Sequence, residues 1–102
     1  GYHTVQVIYN QFVGRLRIQA SLSLTPTDSD WFDLVPSSTT GTEFNALGFV
    51  QFNSNDPANR SEAYTFQGNF TFVRVYMDRE HVGDGSTYDA SYGQISKVVL
   101  SA

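Results

Sequence analysis

Residues 15–24, RLRIQASLSL, alternate without interruption: Leu16, Ile18, Ala20, Leu22 and Leu24 share one parity, and Arg15, Arg17, Gln19, Ser21 and Ser23 share the other. A strand turns successive side chains to opposite faces, so this period lays one apolar face on a core and leaves one polar face in water. A helix would scatter the same residues around its circumference. The chain is therefore committed to a sheet here, and the remaining sequence must supply a second layer to cover that apolar face.

The flanking segments offer that layer. Residues 2–9 (YHTVQVIY) are β-branched and aromatic, and residues 10–14 (NQFVG) read as a turn ending in glycine, which predicts a hairpin with the alternating strand. After the TPTDSD loop, residues 31–35 (WFDLV) read as a third strand stopped by Pro36, and residues 44–52 (FNALGFVQF) as a fourth with a bulge at Gly48. Residues 64–66 form a short strand and Gly68-Asn69 a turn. Residues 70–77 (FTFVRVYM) put Thr71, Val73, Val75 and Met77 on one face and Phe70, Phe72, Arg74 and Tyr76 on the other. Apolar groups on both faces suit a strand covered on two sides or lying beside a subunit partner. Residues 94–100 (QISKVVL) make the last strand. No segment has a helical period, so the expected fold is all-β, an antiparallel β-sandwich of jelly-roll or Ig-like type with about seven to eight strands. Its inner layer is expected to hold Val5, Val7, Leu16, Ile18, Ala20, Leu22, Phe32, Leu34, Val50, Phe72, Val73, Val75 and Val98.

Composition narrows the function. The chain's 102 residues fit one domain spanning 1–102, and with no cysteine it must hold together by packing, sheet hydrogen bonds or contacts with further copies. Ten acids against six cations give a net charge of −4, and Arg15, Arg17, Arg60, Arg74, Arg79 and Lys97 are scattered, so no nucleic-acid partner is expected. No apolar stretch approaches the ~20 residues of a membrane helix, and no membrane partner is expected.

Catalysis requires convergent titratable groups, and the two histidines, His3 and His81, sit in no metal or nucleophile spacing. No catalytic residue and no cofactor is expected. The acidic, glycine-rich segment 78–93 offers one metal candidate: Asp78, Glu80 and Asp84, with His81 and Asp89, supply ligands a Ca²⁺ ion accepts. The alternative is that these short acidic side chains solvate a long loop. Trp31, with Tyr64, Tyr76, Tyr88 and Tyr92, offers an aromatic platform for a sugar ring, Trp31, Tyr88 and Tyr92 being the ligand-contacting candidates. The alternative places Trp31 as a plug at the core's end and the loop tyrosines at an oligomer contact. Arg15 and Arg17 read as solubilising, edge-protecting groups.

Four segments carry a resemblance: GRLRIQASLS (14–23), SDWFDL (29–34), GNFTFVRVYM (68–77) and YGQISKVVL (92–100). Together they resemble small β-sandwich structural proteins of tailed bacteriophages, marine cyanophages in particular. In that family a strand of the form LxIQxSxD precedes WxxV/L, and YxWxRxxYxxxxGxI closes the domain. Here Phe72 stands where tryptophan is common and Ser23 departs from the usual turn residue. The resemblance implies a virion location and a role as a head decoration, neck, fibre or tail-associated subunit. It also implies partners that are further copies of the chain and other virion proteins. Self-association is expected through strand edges or through Tyr88 and Tyr92. A carbohydrate- or receptor-binding module that takes a host glycan is the alternative, since architecture does not fix function.

Overall fold

Period-two segments become strands wherever a partner reaches them. The computed structural model describes residues 1–79, 81 and 90–101. The strands are β1 (Tyr2–Asn10), β2 (Gly14–Ser21), β3 (Phe32–Asp33), β4 (Ser37–Ser38), β5 (Val50–Phe52), β6 (Ser61–Gln67), β7 (Phe72–Asp78) and β8 (Gln94–Ser101), with single 3₁₀ turns at Asp28–Asp30 and Ala90–Tyr92. They form two antiparallel sheets. One runs β4-β6-β1-β8. In the other, β7 pairs with β2 from Arg15 to Ser21, while β5 pairs at Gly14–Leu16 and β3 at Gln19–Ala20. A strand has only two edges, so β5 and β3 share the edge of β2 that β7 leaves free.

The fold is thus the all-β sandwich that the alternation implied, but β1 and β2 are not a hairpin. They belong to opposite sheets, and the connection crosses the end of the core. Phe12, fully buried, exchanges both backbone hydrogen bonds with Ala58 (2.7 and 2.9 Å), and Val13 N–H donates to Tyr92 O at 2.8 Å. Crossing over makes Val5, Val7 and Tyr9 of β1 face Leu16 and Ile18 of β2, so each apolar stripe covers the other. Phe44, Val50, Phe52, Ala58, Tyr64 and Phe66 complete the core, with Leu34, Phe70, Val73, Val75 and Ile95 packed against it from partly buried positions.

Four expected core residues lie elsewhere. Leu22 is 65% exposed because β2 stops at Ser21: Ser21 Oγ accepts Ser23 N–H and Ser23 Oγ accepts Thr25 N–H, and these local bonds peel the chain from the ladder. Phe72 cannot share a face with Val73; it lies opposite Ser21 and is exposed. Phe32 lies opposite Ala20 but at the rim of a two-residue strand, edge-on to Phe70. Val98 lies opposite the buried Val7, yet stays 43% exposed because nothing among the described residues closes that side of the sandwich.

Residues 44–49 form no strand. Asn45 N–H donates to Phe49 O and Gly48 N–H to Asn45 O, while Asn45 Oδ1 accepts from Leu47 N–H, so a closed turn uses the groups a ladder would need. Gly48 has φ of 88°, and a Cβ there would meet Asp33 Cβ at 2.8 Å; the glycine serves a left-handed turn, not a bulge.

Candidate functional surfaces

The polar parity of β2 sets up the outer face of the second sheet. Register places Gln19 between Asp33 and Arg74, Arg17 opposite Tyr76, and Arg15 between Gln51 and Asp78. Arg17 Nη1 donates to Asp33 Oδ2 at 3.1 Å, Gln19 Nε2 to Asp33 Oδ1 at 2.9 Å, and Arg74 Nε to Gln19 Oε1 at 2.8 Å. Arg17 Nε lies 3.7 Å from Asp78 Oδ2. The guanidinium of Arg74 covers the Trp31 ring at 4.2 Å from its centroid and lies over Tyr76 at 5.4 Å, and those of Arg15 and Arg17 both lie over Phe49.

This network lines an open groove of about 610 Å³, bounded by Arg17, Gln19, Asp28, Asp33, Arg74, Tyr76 and Asp78. Its side chains hold one another in place on a rigid sheet and present fixed donors, acceptors and ring edges. A face so built can hydrogen-bond a polar ligand. Because β2 is paired along both edges, Arg15 and Arg17 protect no edge; they belong to this face.

A second surface has the opposite character. Val98 and Leu100 lie opposite Val7 and Val5, and Val73, Val75 and Met77 lie opposite Ala20, Ile18 and Leu16, so all five point toward the sandwich interior. Yet Leu100 is 50% exposed and Met77 42%, because β7 and β8 are the edge strands on the same flank and no further strand bridges them among the described residues. The gap is an apolar groove of about 310 Å³ lined by Val5, Val73, Arg74, Val75, Val98 and Leu100. Of the two placements expected for β7, the middle of a sheet covered on both sides does not hold: it is an edge strand whose inner face is only partly covered among the described residues.

Of the residues singled out from sequence, Trp31 lies on the polar outer face rather than at the end of the core, and Tyr76 is beside it. Tyr64 is fully buried and belongs to no platform: its hydroxyl hydrogen-bonds that of Tyr9 at 2.9 Å in the core. Tyr92 is partly buried in the 3₁₀ turn, its carbonyl accepting from Val13 and Arg79, well apart in the fold from the Trp31 cluster. Asp78 ends β7 near Arg17. His81 Nε2 contacts Phe52 O at 3.3 Å. Glu80, Asp84, Tyr88 and Asp89 lie outside the described residues.

Sequence reasoning missed the buried charge of Glu62, 97% of whose surface is hidden, held by Arg60 Nε at 2.6 Å and by the Thr40 hydroxyl. Parity alone carried the signal, since Glu62 is in phase with Tyr64 and Phe66.

Compared with known proteins, the chain matches no family model, no curated protein and no solved structure.

Proposed function

We propose that this chain is a non-catalytic assembly subunit of a tailed-bacteriophage virion, a head decoration, neck, fibre or tail-associated protein that works by presenting surface to further copies and to other virion proteins. The observation that carries the reading is the open flank: two edge strands on one side of the sandwich leave inward-pointing apolar side chains half exposed. Monomeric proteins blunt such edges with charge, proline or bulges, and β8 has only Lys97 and one register shift to do so. An apolar flank of this kind marks a surface that is covered in the working state. The motif resemblance at residues 14–23, 29–34, 68–77 and 92–100 supplies the virion setting. Mass spectrometry of purified particles from cells carrying the gene tests it: the chain is expected in multiple copies per particle, and its absence from washed particles would overturn the reading.

A second reading, a module that binds a host glycan, is favoured by the cluster of Trp31, Arg74, Tyr76, Gln19 and Asp33, which combines rings with an amide, an acid and a cation. A glycan array separates the two: a binding module loses a defined signal on Trp31→Ala, whereas an assembly subunit gives none with either protein.

A further inference from the structure

We infer that the open flank is covered by a second copy of this chain, with β8 pairing antiparallel to the partner's β8 across a twofold axis at Val99. The inference rests on the assembly reading and names its contact. Its first support is the direction of backbone groups. Tyr9 N–H donates to Arg60 O, and Gly68 N–H donates to Gly1 O, which assigns the odd-numbered residues of β1 to β6. The N–H and C=O of alternate residues point to opposite edges, so Thr4, Gln6 and Ile8 bond toward β8, where their partners are Ser101, Val99 and Lys97. Val98 and Leu100 consequently direct their N–H and C=O to the outer edge of β8, which no strand among the described residues pairs and which is a template for another strand.

The side chains then choose the partner and the register. Opposite residues in an antiparallel pair share a face, so inward residues must meet inward ones. Pairing centred on Lys97 sets the two ammonium groups against each other. Pairing centred on Val98 sets Lys97 opposite Val99 and Leu100 opposite Ser96, mixing polar with apolar and reaching the irregularity in β8 that faces Ile8 and Tyr9. Pairing centred on Val99 sets Val98 opposite Leu100 twice on the inner face, Val99 opposite Val99 on the outer face, and Lys97 opposite Ser101. Of these three, only the last matches apolar with apolar throughout, and it uses the free backbone groups of Val98 and Leu100 as the hydrogen-bonded pairs.

An axis perpendicular to the sheets that joins the two β8 strands also turns each β7 toward its copy. This is the isologous geometry of a closed dimer, in which the partly buried Val73 and Val75 and the half-exposed Met77, Val98 and Leu100 become interior.

Val99→Cys in the full chain, which has no other cysteine, tests the pairing. At a non-hydrogen-bonded position the two Cα atoms lie about 4.5 Å apart, near enough for a disulfide. Under mild oxidation Val99→Cys is expected to cross-link as a dimer, and Ser101→Cys is not, its copies being about 14 Å apart at four residues of offset. Val99→Lys, at an exposed outer-face position that leaves the core untouched, is expected to raise the dimer dissociation constant in sedimentation by about tenfold or more. A dimer in which Val99→Cys does not cross-link, or Ser101→Cys does, overturns this interface while leaving assembly standing. A wild-type chain that stays monomeric at millimolar concentration overturns self-association, and its recovery in particles by mass spectrometry would show the assembly reading surviving without it.

Discussion

The Tyr9 and Tyr64 hydroxyls meet in the core, and their ionisation reports on folding. Burial is the main cause that pushes Tyr64 up to about 12; the nearby Glu62 carboxylate adds to it, while the hydrogen bond from Tyr9 and the Arg60 charge oppose it. Burial likewise raises Tyr9, reinforced by Tyr64. An unfolded tyrosine releases its proton near pH 10, whereas these two keep theirs when folded. The contribution is therefore complete below about pH 10 and is lost as pH climbs from there through 12. Melting temperature is expected to fall across that window in step with tyrosinate absorbance at unfolding. Tyr64→Phe leaves the Tyr9 hydroxyl buried without its partner, a loss of about 1–3 kcal/mol measured by denaturant titration at pH 7; an unchanged midpoint would contradict the pair's role. At Glu62, Arg60→Ala removes the closest cation from a carboxylate that stays buried. About 2 kcal/mol of stability should go, less than for a fully enclosed pair because Arg60 is itself 43% exposed.

At the scale of elements, β2 carries the fold. Ile18 is completely buried between β3, β5, β7 and the opposing sheet, so Ile18→Asp places an unpaired charge in the core at a cost of several kcal/mol, comparable with the whole stability of a domain this size. A cooperative, soluble Ile18→Asp protein would contradict the strand's orientation. Gly93 is a second fixed point: with φ of 67°, its missing Cβ leaves room for Gln11 O, which would otherwise lie at 2.1 Å. Gly93→Ala should destabilise by more than the ~1 kcal/mol of a simple glycine effect, visible as a lower melting temperature. Strand identity was legible in the sequence because period two, plain at residues 15–21, and β-branched or aromatic enrichment, as at 72–77 and 94–100, are local properties. Strand ends and partners were not. Leu22 and Leu24 keep the alternation after the serine turns have ended the ladder, and the glycine that opens β2 looks like the end of a hairpin turn although Phe12 takes the chain across to the other sheet. Of the Trp31 cluster the rings Trp31 and Tyr76 were named from the sequence, but Gln19, Asp33 and Arg74 were not, because its members come from three strands and a turn that only pairing brings together.

Among the described residues the molecule is closed on one side and open on the other. Toward β4 on one sheet, and toward β3 and β5 on the other, short strands and loops finish the layers. Toward β7 and β8 the two sheets end on long apolar strands with no cover among the described residues. A chain without disulfides gains by burying that flank against a neighbour, and mass action then ties its stability to concentration. Hydrogen exchange at the Val98 and Leu100 amides reads this state directly. Both are expected to exchange freely in dilute solution and to become protected together as concentration rises or the chain enters particles, while the Val99 amide, directed at β1, is protected throughout. Equal exchange of Val98 and Leu100 in the dilute and assembled states would contradict the claim that this flank is the working surface.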